Sequence, residues 1–123
     1  MCRPTWLQPR WCLRMAEPRR IIVGISGASG AVYGVALLQA LRAMPGVQTH
    51  LVVSDAGWLN IQHETALSRE QVLALGHQAH DNASIGASIA SGSFGAQAMV
   101  VAPCSMRTLA AIAHGLADNL LTR

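Results

Sequence analysis

The stretch Ile22-Val23-Gly24-Ile25-Ser26-Gly27-Ala28-Ser29-Gly30-Ala31-Val32-Tyr33-Gly34 decides the fold. Ile21–Ser26 is a short apolar run without polar alternation and reads as a buried strand. Gly27 to Gly30 is a turn. From Ala31 to Ala43, Val32, Val35, Ala36, Leu38 and Leu41 fall near helical spacing, until Pro45-Gly46 stops the helix. The same alternation continues outward. Thr49–Ser54 reads as a strand, and Asp55 to Ala66 as a helix with Trp58, Leu59 and Ile61 inward. Ser68, followed by Glu70 and Gln71, caps a further helix over Arg69–Leu75. His77–Ala83 is ambiguous, and Ile85–Ile89 fits a short helix or strand. Ser91-Gly92-Ser93 is a loop, Ala98–Ala102 a strand, Pro103-Cys104-Ser105 a turn, and Arg107–Gly115 a helix. This succession predicts an α/β fold with a doubly wound, mostly parallel sheet covered on both faces. Ligands in such sheets bind at the carboxyl ends of the strands, where strand order reverses.

Length and composition bound the rest. At 123 residues, 51% apolar and 12% charged, the chain can bury one core and does not read as a disordered tail. No apolar run approaches the ~18 residues of a membrane span. Three cysteines with no Cys-x-x-Cys pair do not build a disulfide framework, which fits a reducing, cytoplasmic setting. The positive net charge sits at one end. All nine basic residues are arginine, and Arg3, Arg10, Arg14, Arg19 and Arg20 lie in the first twenty positions. From Ile21 onward four arginines face five acids, so the body carries no cationic patch for nucleic acid. Residues 1–18 hold three prolines and no periodicity, and read as an unstructured leader or an upstream start before Met15. Residues 19–123 form the folded part.

Two strand-to-helix turns are rich in glycine and hydroxyls. Gly24-Ile25-Ser26-Gly27-Ala28-Ser29-Gly30 lets a ligand approach the backbone, and the following helix start offers N–H groups to a phosphate. Its glycine spacing matches neither a P-loop nor Gly-x-Gly-x-x-Gly. A tight turn with no ligand is the plain alternative. In Pro103-Cys104-Ser105-Met106-Arg107-Thr108, Ser105 caps a helix while Arg107 adds charge and Thr108 a hydroxyl; the plain alternative is an ordinary capped helix. Ser54, at the end of the second strand, belongs beside the first turn. Three strand ends therefore converge, and their ligand should carry a phosphate and a planar ring. The trio His77, His80 and Asp81 has metal-like spacing but no fourth ligand, and no metal is expected. Cys104 reads as a packing residue, and His114 as a partner of a helix C-terminus.

Residues 22–34, Thr-His-Leu-Val-Val-Ser at 49–54, Ser-Gly-Ser-Phe at 91–94 and Pro-Cys-Ser-Met-Arg-Thr-Leu at 103–109 closely resemble the flavin prenyltransferases, the UbiX/Pad family. The resemblance runs in one register from about Arg20 to Arg123. It implies a Rossmann-like or flavodoxin-like fold, homo-oligomers and FMN as cofactor. It also implies transfer of a dimethylallyl group from dimethylallyl phosphate to reduced FMN, with the prenylated product passed to a UbiD-type decarboxylase, including in ubiquinone synthesis. By position it assigns Gly27, Ala28 and Ser29 to a first FMN-binding loop, Ser54 to the second strand end, and Ser105, Met106, Arg107 and Thr108 to a second loop. Ser29 and Glu64 take the catalytic positions. In the family a further segment follows, with an Arg-Glu-Thr-Pro stretch and later phosphate ligands that have no counterpart here. The expectation is a fold incomplete at its C-terminus, with weak or no FMN binding and no transferase activity for this chain alone. Two alternatives stand beside it: an FMN-dependent cysteine decarboxylase relative, and a non-catalytic truncated paralogue.

Overall fold

The computed structural model describes residues 17–123. The expectation of an unstructured segment over residues 1–14 therefore lies outside the described residues. Strand β1 (Arg19–Ile25) leads through the glycine turn into helix α1 (Ala31–Arg42). Strand β2 (Val47–Val53) is followed by α2 (Asp55–Glu64) and α3 (Arg69–Leu75), then β3 (Gln78–Asp81). Two single 3₁₀ turns, Ser88–Ala90 and Gly92–Phe94, precede β4 (Ala98–Val101) and α4 (Met106–His114).

The four strands lie in the order β3-β2-β1-β4, and every pairing is parallel. The chain moves outward from β1 to β3 and then returns to the other side of β1. The reversal point is therefore the gap between the carboxyl ends of β1 and β4, where a ligand crevice opens in a doubly wound sheet.

Strand alternation distributes the core. Val23 and Ile25 of β1 and Leu51 and Val53 of β2 point to one face, where they pack with Ala31, Leu38 and Leu41 of α1, Ile61 of α2 and Val72 of α3. Ile22 and Val52 point to the other face and meet Ile89, Leu120 and Leu121. The last residues are thus part of the second layer. Backbone N–H groups of Leu120 and Leu121 donate to the Asn82 carbonyl and to Asn82 Oδ1, each at 2.9 Å. Asn119 and Thr122 cap each other's backbone: Thr122 N–H donates to Asn119 Oδ1 at 3.0 Å, and Asn119 N–H to Thr122 Oγ1 at 3.4 Å.

Several details differ from the sequence reading. In α1, Val32 and Ala36 face solvent, and the inward stripe is Ala31, Gly34, Val35, Leu38 and Leu41. Gly34 holds an inward place because the Ala102 carbonyl lies where a Cβ would stand. In α2, Leu59 is exposed, because the buried stripe passes through Gly57 and Ile61 and Leu59 lies two residues from each. That helix ends at Glu64 rather than Ala66, since Thr65 is already extended. The ambiguous segment after His77 is strand β3, and Ile85–Ile89 holds only the start of a 3₁₀ turn. Among the described residues strand β4 has a partner only in β1 and stands at an open edge of the sheet, and Ala98, Met99 and Val100 are exposed.

Candidate functional site at the carboxyl ends of the strands

Helix α2 holds the glycine turn in place. Its first turn packs so tightly on Gly27 that an added Cβ would collide with the Ala56 side chain. One turn on, Asn60 Nδ2 donates to the Ala28 carbonyl at 2.7 Å. At the helix end Glu64 reaches the start of α1. Its carboxylate accepts from the Ala31 N–H at 2.7 Å, from the Gly30 N–H at 3.1 and 3.2 Å, and from the Ser29 hydroxyl at 3.1 Å. Gly30, with φ of 102°, offers α1 no side-chain cap of its own, so Glu64 supplies the cap from another helix. These donors, Gly30 first and then Ala31, hold the Glu64 carboxyl below the usual carboxylate range against a smaller opposing effect of burial. The Gly30 and Ala31 N–H groups, two of those expected to face a phosphate at this turn, are therefore already engaged.

Ser54 caps α2, accepting from the Gly57 N–H at 3.0 Å, while its own N–H donates to the Ile25 carbonyl at 3.0 Å. Ser105 caps α4 in the same way, accepting from the Thr108 N–H at 3.1 Å. Its hydroxyl donates to Thr108 Oγ1 at 2.9 Å, which leaves the Thr108 hydroxyl proton for another acceptor. The two turns of the reversal point are joined through Ser26, which is 1% exposed. Ser26 Oγ donates to the Pro103 carbonyl at 2.9 Å and accepts from the Ser105 N–H at 2.7 Å.

Gly27, Ser54, Ser105, Arg107 and Thr108 line one cleft of about 440 Å³, together with Asp55, Asn82, Asp118 and Asn119. Two helix starts, four hydroxyls (Ser54, Ser105, Thr108 and Thr122) and a guanidinium thus share one space. Two carboxylates oppose the single arginine, so attraction for an anion must come locally from Arg107 and from the helix starts. Ser29 and Glu64 meet each other outside this lining, and Ala28 contributes its carbonyl to Asn60. Met106 is 78% exposed and absent from the cleft wall. A larger hollow of about 580 Å³ lies between α2 and α3, with Trp58, Leu59, Ile61 and Leu67 in its wall. Its wall is mostly apolar and Ser68 is its one hydroxyl, so chemistry favours the smaller cleft.

Sequence reasoning passed over Asn60, Asn82 and Asn119, and gave Ser26 a place in the first turn but no role of its own. Asn60 stands four residues before Glu64, so one helix face carries both, and that spacing could have flagged it. Ser26 gave no such signal, because a serine closing an apolar strand looks like the first residue of the turn. The histidines also read differently in three dimensions. His77 Nδ1 lies 2.9 Å from Thr49 Oγ1, and His50 Nδ1 lies 3.0 Å from His80 Nε2. No cluster of metal-ligating side chains occurs among the described residues.

Fold and cleft together define a doubly wound α/β protein with an open cleft at its topological switch point. The family model described as Flavoprotein matches residues 12–123. The chain belongs to the flavoprotein family. It is similar to a flavin prenyltransferase UbiX of Neisseria meningitidis serogroup B, with 57% identity over 105 residues, 85% of this chain and 55% of that protein. A solved structure of AnUbiX in complex with FMN and dimethylallyl pyrophosphate matches with TM-score 0.83 and 43% identity, over 86% of this chain and 56% of that one. A dodecameric FMN-dependent UbiX-like decarboxylase from Escherichia coli O157:H7 matches with TM-score 0.82 and 51% identity, over 84% and 56%. The chain spans a little over half the length of these relatives.

Proposed function

We propose that this chain carries the FMN-phosphate side of a flavin prenyltransferase site, in a protein that joins a dimethylallyl group from dimethylallyl phosphate to reduced FMN for use by a UbiD-type decarboxylase. One observation carries the reading. Gly27, Ser54, Ser105, Arg107 and Thr108 surround a single cleft at the reversal point, in a chain with 57% identity to a named flavin prenyltransferase. The donor set fits a phosphate monoester. Arg107 supplies a cation, Thr108 a free hydroxyl proton, and the starts of α2 and α4 their positive ends. By position in the family Ala28, Ser29 and Met106 are further proposed FMN contacts, although they stand outside the cleft wall.

FMN, when bound, supplies the ring atoms to which the prenyl group is joined. The chain's own residues position and handle protons around it. Glu64 stays ionised at neutral pH and fixes the Ser29 hydroxyl through their hydrogen bond. Where Ser29 takes a proton from a bound ligand, its own hydroxyl proton would pass along the hydrogen bond to Glu64, so that the pair relays one proton. With three other acceptor contacts to backbone N–H, Glu64 also keeps the turn in shape.

Homo-oligomerisation belongs to the same reading. Leu109, Ile112 and Leu116 leave an exposed apolar face along and just beyond α4 that favours burial against a neighbour. No helix among the described residues is long and apolar enough to cross a membrane, and we place the protein in the cytoplasm.

The test has two arms. The 123-residue chain alone should quench FMN fluorescence weakly but saturably, with no flavin of higher mass formed from dimethylallyl phosphate. A chimera in which residues 19–123 replace the matching segment of the Neisseria relative should convert reduced FMN to a flavin heavier by one prenyl group. A folded chimera that binds FMN and leaves its mass unchanged would overturn the reading.

A further inference from the structure

We infer that Ser26 is a positioning residue that sets the second phosphate-side loop against the first. The inference rests on the flavin reading of the cleft for its functional consequence, and on Ser26's own contacts for its structural one. Ser26 is the last residue before the glycine turn and is 1% exposed. Its hydroxyl does two things at once. It gives its proton to the Pro103 carbonyl at 2.9 Å and accepts the Ser105 N–H at 2.7 Å. Its backbone N–H donates to the same Pro103 carbonyl at 3.1 Å. Three hydrogen bonds therefore tie the carboxyl end of β1 to the loop that opens α4.

The consequence follows from what Ser105 does next. Ser105 caps α4 and fixes Thr108 through two further hydrogen bonds of 2.9 and 3.1 Å. Ser26 does not line the cleft, whereas Ser105, Arg107 and Thr108 do. The α4 start has no equivalent anchor from α2 or α3 among the hydrogen bonds of the described residues. Removing the Ser26 hydroxyl would leave the Ser105 N–H and one Pro103 acceptor site without their protein partner. Such groups recover partners by moving toward water, so the α4 start would shift away from Gly27. Threonine keeps the hydroxyl in the same place on the chain and should preserve the tie.

Amide hydrogen exchange and FMN titration on the 123-residue chain test this, with Ser26→Ala and Ser26→Thr beside the unsubstituted protein. In Ser26→Ala the Ser105 amide should lose at least about tenfold in protection, while the Leu38 and Ile61 amides keep theirs. FMN affinity should fall about tenfold with it. Ser26→Thr should restore both. Unchanged Ser105 protection in Ser26→Ala would overturn the inference, as would a loosened Ser105 with FMN affinity intact. If the unsubstituted chain binds no FMN, the same substitutions in the chimera carry the titration, a folded chimera without FMN affinity overturns the flavin reading, and the Ser105 amide decides whether Ser26 holds the loop. Loss of protection at Leu38 and Ile61 along with Ser105 would also count against it, since Ser26 would then serve the whole fold.

Discussion

Glu64 shows how a single side chain joins two helices. Its carboxylate accepts three kinds of donor at the start of α1, and those donors favour the ionised form. The sign of the pH dependence follows. With the folded value depressed below the ordinary 4.5, its stabilising effect is complete above pH 4.5 and fades as pH falls through the lower folded value. Thermal melts of Glu64→Gln should lie below those of the parent at pH 7 and converge with them as the pH is lowered toward 3. Equal spacing at all pH values would contradict the clamp. Arg107 makes the opposite case. It is exposed and carries no structural hydrogen bond among those found in the described residues, so Arg107→Ala should leave the melting temperature unchanged. If its guanidinium meets the flavin phosphate, FMN affinity should fall roughly 10- to 100-fold, the usual worth of a charge-assisted contact. Fluorescence titration measures it directly. The glycine turn, Ser54 and the Ser105 loop were legible in the sequence because turn chemistry is local. The Glu64 cap on α1 was not, since Gly30 and Glu64 lie on different elements and no spacing rule connects them. Ser26 was hidden for the same reason.

Among the elements, α3 was the most legible. Ser68 accepts from the Gln71 N–H at 3.2 Å, and Gln71 Oε1 accepts from the Ser68 N–H at 2.8 Å, a reciprocal cap written into four consecutive residues. Ser68→Ala should cost about 1 kcal/mol in denaturant unfolding, and much less than about 0.5 kcal/mol would mean the cap is dispensable. Strand β3 was the least legible. Gln78-Ala79-His80-Asp81 has no apolar run, and it is a strand because β2 offers it a parallel ladder. Tertiary pairing overrode weak local preference there. Strand β4 is the opposite case. Its sequence is apolar enough for a covered central strand, but within the described residues it pairs on one side only. Composition reports what a strand can bury, not what stands beside it.

At the scale of the molecule, the two faces of the sheet differ in kind. One is covered by three helices. The other is covered by short turns, the 120–121 segment and a small polar group around His50, which is 2% exposed. His50 bonds to His80, meets Phe94 edge to face at 4.8 Å, and leaves its Nε2 without a partner. An unpartnered acceptor costs less than an unpartnered donor, so the arrangement favours His50 donating from Nδ1 to His80. Burial, then the charges of His80, Arg20 and His77, hold His50 below the ordinary 6.5, and burial does the same for His80. Neutral imidazoles therefore support the fold above pH 6.5, and that support is lost as pH falls below it. The melting temperature should drop between pH 7 and pH 5, and His80→Gln, which keeps a hydrogen-bonding group but does not titrate, should flatten the slope. A slope unaffected by the substitution would exonerate the pair. The other face is held by a different logic. Because the first turn of α1 borrows its acceptor from the last turn of α2, fraying at one helix tip strips the other of its cap. The two helices should therefore open as a single cooperative unit, with the early amides of α1 and the late amides of α2 sharing one opening free energy in native-state exchange.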